Sequence, residues 1–354
     1  MERHYLKDAQ DVIAGLGQQN ERFEGKTVLI TGAAGFLGTE FVHYFLALND
    51  AGRIRQPCRV LAMDNYLRGA PEWLKALQSR KDLETIVADI VAGGDLPKAD
   101  FIIHAASVAS PIFYRQYPIE TMDANVIGLR RLLEHARATK PESMLFFSSS
   151  EIYGDPDPQH IPTDESYRGL VSCTGPRACY DESKRFGETL SVNFWNVHKV
   201  PVKIARPFNN YGPGLRLNDR RVLPDFFRDA LSNRDITLLS DGKATRTFCY
   251  VSDAIEGYLR LLLSDANGES FNIGTEEPEV SMVELAQAVI RVCDKKLRVT
   301  HQTSPDAHYT TDNPQRRCPN LAKARSRLGY EPRVSLSAGL ERMRDYYLDH
   351  LEQP

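Results

Sequence analysis

The chain of 354 residues has no apolar run of the ~18–20 residues a helix needs to cross a bilayer, which excludes a helical membrane protein. Its opening stretch, MERHYLKDAQDVIAGLGQQNERFEGK, lacks the apolar core of a secretory signal. Residues 1–24 read instead as an N-terminal extension, a short amphipathic helix ahead of the main domain. Charge of one sign is also missing. The 44 Lys and Arg against 47 Asp and Glu leave a net charge of −3, so no electrostatic footprint for nucleic acid or an acidic membrane exists. The six cysteines (Cys58, Cys173, Cys179, Cys249, Cys293, Cys318) form no C-x-x-C pair. That excludes the usual zinc and disulfide spacings and suits reduced thiols in a cytoplasm, with no metal expected. There is no internal repeat and no low-complexity tract. What remains is an ordinary soluble composition, 42% hydrophobic and 26% charged, with length for one large domain or two intimate ones.

The first half has a regular rhythm. KTVLIT (26–31), CRVLAM (58–63), ETIVAD (84–89), DFIIHA (100–105), SMLFFS (143–148) and VPVKIAR (200–206) read as buried strands. Segments of helical period separate them, such as TMDANVIGLRRLLEHARA at 121–138. Strand, helix and strand in alternation predict an α/β fold, a Rossmann-type doubly wound parallel sheet. From 207 to 354 the elements shorten and turns multiply. The expectation is a cofactor domain over 25–206 and a smaller substrate region over 207–354, with some chain returning to the first domain.

VLITGAAGFLGTEF at 28–41 ends a strand, spaces Gly32, Gly35 and Gly38 three apart, and opens a helix. Glycine there permits a tight turn and close approach of backbone to a pyrophosphate, which the helix N-terminus then holds. The second strand ends at Asp64. A carboxylate at that point accepts hydrogen bonds from ribose hydroxyls and repels a 2′-phosphate, so NAD is favoured over NADP.

FFSSSEIYGDP at 146–156 puts Ser149 and Glu151 beyond the fifth strand, where ligands of open parallel sheets sit. GPRACYDESKR at 175–185 places Tyr180 and Lys184 on one face of a helix, four residues apart. A free phenol has a pKa near ~10 and is a poor base at neutral pH. Lowering it by ~3 units takes about 4 kcal/mol of differential stabilisation, which a nearby ammonium and a nicotinamide cation can supply. Ser149, Tyr180 and Lys184 thus form a set suited to oxidising an alcohol.

Taken in order, TGAAGFLG, SSSEIYGD, YDESK, RPFNNYGPG and FCYVSDAIEGY resemble the extended short-chain dehydrogenase/reductase family of nucleotide-sugar enzymes. ASPIFYRQYP, GPRACYDESKR, ATRTFCYVSDA and DNPQRRCPNLAKARSRLGYEP are most similar to UDP-glucuronic acid decarboxylases. The resemblance implies an NAD site of Gly32, Gly35, Phe36, Leu37, Gly38, Asp64, Asn65, Asp89, Ile90, Ala105 and Asn125, with Tyr180 and Lys184. It implies catalytic roles for Ser149, Glu151, Tyr180 and Lys184. Substrate contacts are implied for Tyr114, Asn209, Arg221 and Arg246, with the arginines on the diphosphate or sugar. It also implies a homodimer formed through helices flanking the sheet.

Glu151 divides the chemistries. A 4,6-dehydratase needs a base at C5 and an acid at the C6 hydroxyl, usually adjacent Asp-Glu, whereas Ser150 precedes Glu151 here. A 4-epimerase needs neither group. A decarboxylase needs no C6 acid, since a β-keto acid loses carbon dioxide by itself. Decarboxylation of UDP-glucuronate to UDP-xylose through a 4-keto intermediate, with NAD regenerated, is the expectation. A 4-epimerase, a 4,6-dehydratase and a non-catalytic NAD(H)-binding regulator stay open.

Overall fold

A computed structural model describes residues 1–304 and 311–351, so 305–310 and 352–354 of the region read as 207–354 lie outside it. Six strands form where the apolar runs lie: β1 (Thr27–Thr31), β2 (Arg59–Asp64), β3 (Leu83–Val87), β4 (Phe101–His104), β5 (Ser143–Phe147) and β6 (Val202–Pro207). All pair in parallel, in the order β6-β5-β4-β1-β2-β3. The reversal at β1 leaves a crevice at the carboxyl edge. Both faces are covered, which is why the strands are apolar without alternation. Val28, Ile30, Val60 and Ile103 pack on one side. Leu29, Leu61, Ile102 and Phe146 pack on the other.

A seventh strand, Ser270–Ile273, extends the sheet beyond β6, with Ser270 opposite Ile204. Helix Val251–Leu263 leads to it and covers β5 and β6, with Tyr258 edge-on to Phe147 at 4.8 Å. The late chain therefore returns to the first layer. Elsewhere it makes small sheets. In one, Thr245–Arg246 pairs with Val280–Ser281 and with Arg316–Arg317, putting Arg317 directly opposite Arg246.

Helix α1 (Arg3–Leu16) buries Tyr5, Ala9, Val12, Ile13 and Leu16, a stripe of helical spacing. It packs on helix α2 (Phe36–Asp50) and on Val251–Leu263. Asp8 shares that buried face. It accepts the Tyr250 hydroxyl at 2.9 Å and the Arg342 guanidinium at 3.1 Å. Asn20 takes the Tyr44 hydroxyl at 2.7 Å and donates to the Ile13 carbonyl at 2.8 Å. The N-terminal extension is thus part of the core, a packing no single segment announces.

Candidate active site

One cavity of about 1210 Å³ follows the carboxyl edge of the sheet and is lined from both halves of the chain. At its β1 end, Gly32 turns with φ +76°, and a Cβ there would lie 2.5 Å from the Ala106 nitrogen. Helix α2 starts immediately after Gly35 without a side-chain cap, leaving its first N–H groups to a ligand. Phe36, Leu37 and Gly38 form its first turn. The Asp64 carboxylate ends β2 and accepts the Ala34 N–H at 2.9 Å and the Tyr66 N–H at 2.8 Å. Burial pushes its carboxyl up from the ordinary value. Asn65 donates to Asp89 at 3.1 Å, and Ile90 and Ala105 complete this wall. Side-chain-free backbone, an open helix N-terminus and a carboxylate beyond the second strand fit an adenine dinucleotide. Asn125, expected among the cofactor contacts, does not line the cavity. It is fully buried and donates to Ser183 at 2.9 Å, so it braces the helix that carries Tyr180 from behind.

At the β5 end, Ser149 caps the short helix Ser150–Tyr153 by accepting the Glu151 N–H at 3.2 Å. The Ser149 side chain is also a neighbour of the buried Tyr180 phenol and favours its ionised form. Lys184 lies one turn along helix Ala178–His198, and its Nζ donates to the Phe147 carbonyl at 2.8 Å. That nitrogen is 5.6 Å from the centre of the Tyr180 ring. Burial pushes Tyr180 up to about 12, against the pull of the Ser149 side chain. Burial also pushes Lys184 down to about 7. The expectation asked a nicotinamide cation as well as Lys184 to lower the phenol. In the protein alone, desolvation dominates.

Glu151 does not stand alone beyond β5. Arg317 grips its carboxylate with both terminal nitrogens, at 2.7 and 2.5 Å, and Arg177 pairs with it from the other side. Burial would raise the carboxyl, yet Arg177, Arg317 and Arg246 hold it well below the usual range. Asp181 sits 3.8 Å from Arg177 Nε and is pushed upward by burial and by the Glu151 charge. Near neutral pH the pair therefore carries its charge on Glu151. Tyr114 stacks on Tyr180, with ring centres 5.1 Å apart and planes 14° apart. Among the described residues, the Tyr114 hydroxyl, Arg177 Nε and Arg317 Nε are buried with no hydrogen-bond partner. All three residues line the cavity. Three orphaned donors and three buried guanidiniums around one carboxylate suit an anionic ligand.

The expected substrate contacts lie on the same cavity. Asn209 adopts φ +41° and donates to the Thr247 carbonyl at 2.9 Å. Arg221 pairs with Asp219 at 3.0 Å. Arg246 spends its terminal nitrogens on the carbonyls of Thr245, Gln315 and Pro314, and burial lowers it to about 9. Sequence reasoning missed Arg177 and Arg317. Arg177 stood in the GPRACYDESKR stretch of the resemblance and Arg317 in its QRRCP stretch, and neither received a role.

A doubly wound sheet with a glycine turn, an acidic residue ending β2 and a Ser–Tyr–Lys set defines an NAD-dependent short-chain dehydrogenase/reductase of the extended type. The chain belongs to the NAD dependent epimerase/dehydratase family, whose model matches residues 28–274. It is 37% identical over 327 residues to UDP-glucuronic acid decarboxylase 6 of Arabidopsis thaliana, covering 92% of this chain and 90% of that one. It is 35% identical to UDP-glucuronic acid decarboxylase 1 of Danio rerio, covering 92% of this chain and 74% of that one. Among solved structures, an epimerase of Methanothermobacter thermautotrophicus superposes with a TM-score of 0.82 at 26% identity, covering 96% and 97% of the two chains.

Proposed function

We propose that this enzyme converts UDP-glucuronate to UDP-xylose and carbon dioxide. The observation that carries this is the Glu151–Arg177–Arg317 cluster. Its surplus of buried positive charge and its orphaned donors suit a sugar acid, and Ser150, not a second carboxylate, precedes Glu151. Relatives with curated decarboxylase function over most of the chain support the reading.

NAD, held by the glycine turn at 32–38 and Asp64, would supply a hydride acceptor and donor for C4 of the sugar, so that no net redox change results. Ser149 and Tyr180 receive the C4 hydroxyl proton. Once C4 is a ketone, the protonated Tyr180 and Ser149 donate to its oxygen as charge develops there, carbon dioxide leaves from C5, and the enolate left behind takes a proton from solvent at C5 before C4 is reduced again. A high phenol pKa helps this step, since the donor keeps its proton. Lys184 is fixed by the Phe147 carbonyl and holds its charge toward Tyr180. Glu151 orients Arg317 and Arg177 along the sugar acid. Asp64 selects NAD through the ribose, and Asn209, Arg221 and Arg246 face the nucleotide diphosphate. Residues 25–206 chiefly hold the cofactor, and those from 207 onward chiefly the nucleotide sugar.

The enzyme is read as a cytoplasmic homodimer. Ile119, Ile127 and Phe186 are 59%, 45% and 51% exposed on neighbouring helical segments, an apolar patch that a second copy would cover. Six unpaired cysteines suit a reducing compartment. Mass spectrometry of products from a panel of nucleotide sugars tests the reaction. UDP-xylose from UDP-glucuronate is expected, and turnover of other sugars without decarboxylation would overturn it.

A further inference from the structure

The loop from Gly212 to Arg221 crosses from β6 toward the substrate end of the cavity. Its first part is anchored to the protein's two terminal helices. Tyr347 donates to the Leu215 carbonyl at 2.8 Å, and the Tyr5 hydroxyl occupies the space a Cβ on Gly214 would approach, at 2.9 Å. Its second part is held differently. Arg216 reaches the Arg68 carbonyl at 2.5 Å and the Gly69 carbonyl at 3.4 Å. Arg68 donates back to the Asp219 carboxylate at 2.6 Å, and its guanidinium lies 4.4 Å over the Phe113 ring. Ser110 donates to the Asp219 carbonyl at 2.9 Å.

Asp219 is only 3% exposed, and its two oxygens are divided. Oδ1 takes Arg68, on the loop that follows Asp64; Oδ2 takes Arg221, at 3.0 Å on the substrate side. One carboxylate therefore ties the loop beside the ribose site to an arginine expected on the substrate. Arg68, Arg216, Asp219 and Arg221 all line the cavity. Parting these contacts strands a buried charge.

We infer that Asp219 is a positioning residue that latches the 212–221 loop to the loop after β2, retaining NAD through turnover while aiming Arg221 at the nucleotide sugar. The inference rests on the NAD and nucleotide-sugar reading of the cavity. It also explains how the cofactor can stay in place for a reaction that regenerates it each cycle.

The test is release of bound NAD from the holoenzyme, chased with labelled NAD and needing no substrate. Asp219→Asn keeps shape and removes charge. NAD release should accelerate roughly ten- to a hundredfold, the scale of a lost charge-assisted hydrogen bond. With UDP-glucuronate, KM should rise while kcat at saturating NAD and substrate holds. Arg68→Met breaks only the cofactor-side link, so it should speed NAD release and leave KM near wild type. The double variant should release NAD no faster than Asp219→Asn alone. Arg68 is half-exposed, so Arg68→Met carries the test if Asp219→Asn folds poorly. Unchanged NAD release in Arg68→Met, additive effects in the double variant, or wild-type release as fast as the variants' would overturn the latch. Faster release in the variants with no turnover of UDP-glucuronate by wild type would keep the latch and remove the proposed reaction. Normal turnover with unchanged release would do the reverse.

Discussion

Arg317 closes on Glu151 with both terminal nitrogens, at 2.7 and 2.5 Å, across 166 positions of sequence. The carboxylate is already engaged before any sugar arrives, so its work is to orient arginines and not to pull protons. Glu151→Gln should therefore still reduce NAD in a single turnover while product release falls by roughly 10²-fold or more. Arg317→Met should behave the same way. Stopped-flow absorbance of the reduced nicotinamide, run beside carbon dioxide capture, separates the steps. Loss of the absorbance burst in both variants would place the cluster in the oxidation instead.

Tyr180→Phe removes one hydroxyl from a ring that stays stacked on Tyr114. Folding should survive, with a Tm near wild type, while kcat falls by roughly 10²–10⁴-fold. Steady-state kinetics with calorimetry checks both halves. Turnover near wild type would return Tyr180 to a packing role.

Asp181 supplies a pH signature. Burial and the Glu151 charge raise its carboxyl from an ordinary 3.8 to about 8. A raised carboxyl binds its proton more firmly in the folded state than in the unfolded one. Its contribution to stability is full below pH 3.8 and is lost as pH climbs through about 8. Asp181→Asn mimics the protonated form and cannot ionise. Its Tm relative to wild type should climb between about pH 5 and about pH 9. A constant difference across that window would mean that Asp181 is charged throughout.

Removing residues 1–24 should be severe. Tyr5, Val12, Ile13, Leu16 and Phe23 are all nearly or fully buried. At ~1.5–3 kcal/mol for each buried side chain, even half the sum rivals the ~5–15 kcal/mol by which domains are stable. The truncated chain should be insoluble, or melt more than about 10 °C lower. Expression of a truncated enzyme with unchanged Tm would contradict the packing of α1.

Much of the sheet was legible because its strands are buried on both faces and read as plain apolar runs. The glycine turn, Asp64, Ser149, Tyr180 and Lys184 were legible because their chemistry fixes short local spacings. Ser270–Ile273 was not, being four residues that gain meaning only beside β6. Arg317 was not given a role, because nothing local distinguishes it from its surface-paired neighbour Arg316, which is bonded to Glu279. Arg177 stood within GPRACYDESKR and received no role, since its partner Glu151 comes from a different element. The docking of α1 also depends on distant partners, Tyr250 and Arg342.

UDP-glucuronate labelled with carbon-13 at C6 follows the proposed reaction atom by atom. On incubation with the holoenzyme, the carboxylate resonance should disappear and reappear as carbon dioxide and bicarbonate, with unlabelled UDP-xylose formed in equal amount and no net NADH. A label that stays on the sugar while C4 inverts would contradict decarboxylation and make this protein a 4-epimerase.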